Sequence, residues 1–386
     1  MNKRIGLLLL FLIVLAGCQS YEKQTETTTA ITLKQTEGNF VESIKPDIKE
    51  ITIAAIGDIL IHDRVYNTAV EGEGYNFLPM LTEVDDYLKT PTITMANQET
   101  IIGGKDIGLS SYPSFNSPEE LADNFQEVGV DIVTMANNHT LDRGEIAIQN
   151  AIAHYEKIDM PYTGSYKSPA DREKVRVIET AEGIKVGFLS YTYGTNGIPV
   201  PSGKDYLVNL IDKEQIEEDV KVARESADVI ILSYHFGNEY ERLPNDNQQE
   251  LAQFASDLGV EVVIGHHPHV VQPVEWLEGK NGQKTLVAYS LGNFLSGQEQ
   301  LYQRIGGMLQ FQVSKISYSD DTIIEVSNPS FLPTFVQYDV IKGKMANFQV
   351  LPFHQVTEEQ LDNHQAHYEE IQQHVQQWMP ELQIIE

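Results

Sequence analysis

VVIGHHPHVVQPVEW, residues Val262–Trp276, opens as an aliphatic run of the kind buried in a sheet and then sets His266, His267 and His269 within four positions. Burying several unpaired imidazoles is costly, so a strand that stops on this triplet reads better as holding a ligand than as a capped end. The same texture recurs along the chain. ITIAAIGD (51–58) stops at Asp58, with His62 beyond it, and TPTITMANQE (90–99) stops at Asn97-Gln98-Glu99. GVDIVTMANNH (129–139) stops at Asn137-Asn138-His139, followed by Asp142 and Arg143. ADVIILSYHFGNE (227–239) carries His235 and Glu239 past its aliphatics, and TLVAYSLGNF (285–294) ends near Gly292-Asn293.

Between these runs lie amphipathic stretches, 119–128, 144–158, 213–226 and 248–258. Strand and helix in alternation predict an α/β domain, and near-continuous apolar runs predict strands buried on both faces. After Gly306 the texture changes to MLQFQVSKISYS, TIIEVSNPSFLPTFVQYD and MANFQVLPF, three antiparallel strands, and then to a Gln-rich closing helix from Thr357 to Trp378. This tail is expected to be an annex of the main sheet, giving a core over 51–297 and an annex over 298–386 of one domain starting at residue 49.

Ligands of parallel α/β sheets bind beyond the carboxyl ends of the strands, so the polar termini should converge on one edge. Carboxylates, a carboxamide and imidazoles form a mixed oxygen and nitrogen shell. That set suits zinc, manganese or iron, and a pair of such ions can clamp a phosphoryl group and activate water. Taken singly, the residues have plainer readings. Asp58 could end a turn, His62 could sit on an exposed helix, and His235 could be structural. One of Asn137 and Asn138 is expected to cap a helix while the other points into the site. Gly292-Asn293 is expected to shape a loop, and Arg143 either pairs with Asp142 at the surface or meets an anionic ligand.

The ordered set GD, NQE, ANNH, HFGNEY, GHHPHVVQPVE and YSLGNF, spanning Ile51 to Gly297, resembles the CapA family, whose members are linked to capsule or poly-γ-glutamate production. That family in turn resembles calcineurin-like metallophosphoesterases, which implies a four-layer αββα sandwich. The resemblance implies metal ligation by Asp58, Glu99 as the bridging carboxylate, Asn138, His235, His267 and His269. It implies His139 as general acid or phosphate contact, with His62, Asn97 and His266 as further ligands or supporting groups. Two departures stand out. The superfamily's Asp-x-His opening is absent, the next histidine after Asp58 being His62, and Glu99 stands where an aspartate is usual.

The amino terminus reads MNKRIGLLLLFLIVLAGCQS: Lys3 and Arg4, then an apolar run of about a dozen residues, too short to span a bilayer and typical of a secretory signal. Leu15-Ala16-Gly17-Cys18 resembles a bacterial lipobox, which implies removal of residues 1–17 and lipidation of Cys18, the one cysteine in the chain. Residues 18–48 are polar and Thr- and Glu-rich, a flexible tether. With 27 basic residues against 56 acidic ones, the net charge of −29 argues against nucleic-acid binding.

These readings converge on a lipid-anchored extracytoplasmic bacterial protein that handles an anionic extracellular polymer, with a phosphoesterase-like hydrolase site. The alternative is an accessory subunit that binds the polymer or a membrane synthase without turnover, which the incomplete first motif favours. A solute-binding lipoprotein fits the anchor but not the histidine clusters.

Overall fold

The computed structural model describes residues 45–319 and 321–386; the signal segment, Cys18 and the tether through residue 44 lie outside them. Strand β1 (Asp47–Leu60) takes in Asp47 and Ile48, so the domain begins two residues before the expected boundary. Beside it lie β2 (Ile93–Gln98), β3 (Ile132–Thr134) and β4 (Tyr162–Thr163), all parallel. A second sheet is built from β5 (Arg176–Glu179), β6 (Lys185–Thr192), β7 (Val229–His235), β8 (Val262–His266), β9 (Val274–Glu278) and β10 (Lys284–Ala288). Its spatial order is β9-β10-β8-β7-β6-β5, with a parallel centre and an antiparallel strand at each edge.

The chain then returns to the first sheet. β11 (Asn293–Ser296) pairs in parallel with the end of β1, and β12 (Ile305–Ser317) runs antiparallel along β1. β13 (Thr322–Ile341), β14 (Lys344–Pro352) and the short β15 (Gln383–Ile384) bring that sheet to nine strands. The expected annex is thus the antiparallel half of the first sheet.

Residue parity shows how the layers arise. Successive strand side chains face opposite ways. In β1, Ile51, Ile53 and Ala55 join an apolar core with Val229 and Ile231 of β7, Val262 and Ile264 of β8 and Leu286 of β10, which is the space between the two sheets. Ala54 and Ile56 face the other way, onto α1 (Glu120–Glu127) and α2 (Gly144–Lys157) through Leu121, Phe125, Ile148 and Ile152. Ile230, Leu232 and Val263 likewise face α3 (Lys213–Arg224) and α4 (Asp246–Asp257) through Ile216, Val220 and Leu251. Helix, sheet, sheet, helix: the four-layer αββα expectation holds. Each fully buried aliphatic side chain here contributes about 1.5–3 kcal/mol, which explains the near-absence of polar residues within the runs.

The closing helix, α5 (His364–Val375), is shorter than the predicted 357–378, because Asn363 adopts a left-handed backbone (φ 57°) that no continuous helix admits. Its Tyr368, Ile371 and Val375 plug the core between the sheets. Among the described residues no helix is long and apolar enough to cross a membrane.

Candidate metal centre

Strands β1, β2, β7 and β8 deliver their carboxyl ends to one edge, where the two sheets meet. At Gly57 the register of β1 against β2 slips between Ile56 and Asp58, a bulge that re-aims Asp58. A side chain at Gly57 could not exist there, since a Cβ would lie 2.1 Å from the Gly292 carbonyl oxygen. After β8 the chain leaves the strand through His267 (φ 99°) and His269 (φ 58°), two non-glycine residues with positive φ flanking Pro268. Such geometry costs on the order of 1–3 kcal/mol per residue and persists where surrounding packing over-determines it.

Asp58 is fully buried. Its Oδ1 accepts from Asn97 Nδ2 at 2.8 Å and lies 3.1 Å from His266 Nδ1. Its Oδ2 lies 3.1 Å from His269 Nδ1 and accepts from the His267 amide at 3.4 Å. Burial alone would raise this carboxyl's pKa, but the hydrogen bonds and charge of His266 and His269 outweigh it and hold the group well below the usual range. His269 shows the reciprocal effect. Burial lowers its pKa, yet the nearby Glu99 and Asp58 carboxylates lift it to about 9.

Glu99 behaves in the opposite way. It is fully buried, neither carboxylate oxygen has a hydrogen-bond partner, and burial pushes its pKa well above the usual carboxylate range. Its Oε1 stands 3.5 Å from His235 Nε2 and 3.6 Å from His269 Nε2. Glu99, His267 and His269 each offer a ligand atom within 4.8 Å of the others. Asn138 Oδ1 closes the ring at 2.7 Å from His235 Nε2. Burial lowers the pKa of His235, and that of His267 to about 3, so both are held as neutral imidazoles. His267 Nδ1 and His266 Nε2 are buried without partners. A closed set of ligand atoms with orphaned acceptors fits a divalent cation shell of oxygen and nitrogen donors.

The six expected ligands Asp58, Glu99, Asn138, His235, His267 and His269 are therefore brought together. Asn97 supports them, reaching Asp58 on one side and standing 3.5 Å from His235 Nδ1 on the other. His266 is anchored to Asp58 and keeps Nε2 free of partners. Asn138 points inward, as expected, but neither asparagine caps the helix: α2 starts at Gly144 after Arg143, and Asn137 closes only a local turn, accepting from the His139 amide at 3.0 Å. His139 is gripped by Asp142, with Nδ1 2.8 Å from Oδ2, and packs edge-on against Phe115 at 4.7 Å.

Two further expectations are corrected. Arg143 does not offer its guanidinium to an anion: it donates to the carbonyls of Ile107 and Gly108 and to Ser110 Oγ, pinning that loop. His62 hydrogen-bonds no member of the cluster. Its Nδ1 lies between the Leu60 carbonyl and the Gly297 amide, its ring packs on Phe115, and burial lowers its pKa to about 4.

The structure also adds residues. Asn293, expected only to shape a loop, pairs in register with Asp58 and places Oδ1 3.1 Å from His269 Nδ1. The polar GN after an apolar run was a signal for it. Asn196 accepts from Asn138 Nδ2 at 3.2 Å and lies 3.4 Å from His139 Nδ1. Tyr193 covers His267 at 4.7 Å. Both come from a Gly- and Pro-rich loop with no periodicity to read.

Residues 52–298 match the family model described as bacterial capsule synthesis protein PGA_cap. The chain is 26% identical over 229 residues to the PGA biosynthesis protein CapA of Bacillus subtilis (strain 168), covering 57% of this chain and 56% of that protein. It is 25% identical over 279 residues to the capsule biosynthesis protein CapA of Bacillus anthracis, covering 69% and 64%. It thus spans less than two thirds of the length of either relative. Among solved structures, the calcineurin-like phosphoesterase YfkN from Bacillus subtilis overlaps 73% of this chain and 91% of its own, with a TM-score of 0.40 and 16% identity. A putative 5'-nucleotidase from Staphylococcus aureus overlaps 83% and 58%, with a TM-score of 0.41 and 14% identity. With the family model covering well over half of the sequence, and the six predicted ligand positions gathered inside the matched stretch, the chain belongs to the bacterial capsule synthesis protein (PGA_cap) family.

Proposed function

We propose that the protein is a divalent-cation-dependent hydrolase of a phosphate ester, acting outside the cytoplasm in capsule or poly-γ-glutamate production and anchored by lipid on Cys18. The observation that carries this reading is the Glu99 carboxylate, buried without a partner and faced by the imidazoles of His235 and His269. Asp58, Glu99, Asn138, His235, His267 and His269 would hold a pair of ions of the zinc, manganese or iron class. When bound, such ions neutralise phosphoryl charge and lower the pKa of water.

The chain's own groups do the rest. Asp58 fixes the imidazoles of His266 and His269 through their Nδ1 atoms, leaving His269 Nε2 3.6 Å from Glu99 Oε1 and His266 Nε2 without a partner. Asp142 fixes the His139 ring through Nδ1, an orientation from which His139 could pass a proton to the departing ester oxygen. The test is metal analysis of the purified chain together with turnover of phosphomonoester and phosphodiester substrates. Stoichiometric manganese, zinc or iron, with turnover abolished by His267→Ala, supports the reading. A metal-free, inactive protein overturns it.

One observation favours the second reading, an accessory subunit that binds polymer or a membrane synthase. His62 is held outside the cluster, so the first ligand motif stays incomplete. A His267→Ala variant that still restores capsule and still captures synthase subunits would favour that role.

A further inference from the structure

We propose that the mouth of this site receives a sugar ring, so that the group carrying the scissile phosphate is a carbohydrate and not a bare γ-glutamyl chain; this rests on the hydrolase reading of the same site. Three tyrosines stand around the ligand cluster with their rings open to solvent. Tyr193 lies 4.7 Å from His267 and nearly parallel to His235 (9°), yet is 48% exposed. Tyr240 lies 6.2 Å from His269 and is 47% exposed. Tyr112, 76% exposed, packs on Phe115, whose ring in turn meets His139. The fold buries tyrosine readily elsewhere: Tyr155, Tyr191, Tyr234 and Tyr289 are almost wholly enclosed. Large aromatic faces left open together beside one polar cluster point to a binding surface, not unfinished packing.

The polar groups between those rings suit hydroxyls. Asn196 accepts from Asn138, Gln298 donates to the Tyr240 hydroxyl at 3.3 Å, and Glu239 is an exposed carboxylate whose charge acts on Tyr193, Tyr240 and His269. Carboxamides can accept from and donate to adjacent hydroxyls and a carboxylate can accept from them, while the electron-rich ring faces meet the weakly positive C–H face of a pyranose.

The mouth is ill-suited to a polyanion. Basic side chains on or beside the rim segments are already engaged: Arg64 with Glu299, Lys204 with Glu145, Arg242 with Glu370 and Arg143 with the 107–110 loop. A chain with one carboxylate per residue would meet Glu239 with no free counter-charge among the described residues of these segments. The phosphate itself would be met by the cation cluster beneath.

The test uses the full chain loaded with zinc and saturation-transfer NMR with three probes: glucose 1-phosphate, glycerol 3-phosphate and a γ-linked glutamyl tetrapeptide. Saturation should reach the ring protons of glucose 1-phosphate, fall at least fivefold in Tyr193→Ala and in Tyr240→Ala, and survive in Tyr193→Phe, which keeps the aromatic face. In turnover assays the same alanine variants should raise KM for the sugar phosphate about tenfold with kcat little changed. Stronger transfer to the glutamyl peptide than to the sugar, equal transfer to glycerol 3-phosphate, or a sugar signal indifferent to both alanine variants would each overturn the proposal. Tyrosine-dependent sugar binding without turnover of any phosphate ester would sink the hydrolase reading, and with it the scissile phosphate, while leaving the tyrosine-lined mouth as a sugar-binding surface.

Discussion

Replacing Glu99 by glutamine should move stability in opposite directions with and without metal. The carboxylate is fully buried and neither oxygen has a partner. Burial is the main cause of its raised pKa; His269 opposes the shift, and Asp58 and Glu239 add to it. A raised folded pKa means that the metal-free fold holds this proton more tightly than the unfolded chain does. Its contribution to stability is therefore fully present below the unfolded value near 4.5 and is lost as pH rises through the folded value. Above that window the metal-free protein carries an unpartnered buried acceptor, a cost of about 1–3 kcal/mol. Glutamine keeps the shape and removes the charge. In EDTA the variant should gain on the native chain as pH rises through the folded value, by about that amount once the native carboxyl is ionised, or about 1.2–3.7 °C in Tm from ~2.1 cal/mol/K per residue over a chain of this length. The gap should close toward pH 5. With manganese or zinc at a hundredfold excess over Kd, the native chain should gain about 2.7 kcal/mol and the variant little, reversing the order. Thermal denaturation followed by circular dichroism, across pH and with or without metal, reads all of this. A variant that is less stable than the native chain by the same margin at pH 5 and pH 8, or that metal stabilises equally, would refute the assignment of Glu99 as a cation-facing acid.

The metal should also compete with a proton on His269, whose pKa is raised to about 9. Binding at pH 7 should then release at least one proton, and affinity should rise about tenfold per pH unit up to pH 9 and level off above; calorimetry in buffers of different ionisation enthalpy checks it, and a pH-independent Kd contradicts it. Arg143→Ala should leave KM for phosphate esters within about twofold while costing on the order of 1–3 kcal/mol, because its guanidinium holds loop carbonyls and not substrate; chemical denaturation and steady-state kinetics separate the two. At position 267, with φ 99°, glycine should give a more stable metal-free protein than alanine by about 1 kcal/mol, the reverse of the order in a helix. Urea denaturation of His267→Gly and His267→Ala decides that.

The layers were legible because period-two burial leaves a direct trace: Ile51, Ile53 and Ile231 face one core, Ala54, Ile230 and Leu232 the others, and each run reads as apolar throughout. The clustering of these polar residues was legible for a related reason. A buried strand has no use for Asp, Asn, Glu or His except at its end, so the polar residues mark the edge where they meet. Pairings across long sequence separations left no local trace. Asp58 meets His266 and His269 more than two hundred positions away. Arg143 was misread because its partners are backbone carbonyls, which every residue type can present. His62 was misread because its place depends on the Gly297 amide, brought alongside by the parallel pairing of β11 with β1. The start of α5 was missed because a Gln-rich stretch has helical propensity throughout, and only the backbone turn at Asn363 stops it.

The turn after β8 ties backbone strain to ligand geometry. In a strand continued past His266, alternation would send that ring to one side and His267 and His269 to the other. The positive φ values at His267 and His269 break the alternation. As a result His266 and His269 take one Asp58 oxygen each, while His267 packs against His235 and Tyr193. Asp58 can bind both imidazoles only because the bulge at Gly57 turns it, and that bulge fits only because Gly57 has no side chain against Gly292. Two local departures from regular strand geometry, at Gly57 and at 267–269, are thus complementary halves of one device, each without use unless the other is present. Their free-energy cost has no return in packing, since both sites are polar. Glu99, His266 and His267 keep buried polar atoms without protein partners beside this device, and a divalent cation has the charge and the ligand preference to offset the cost.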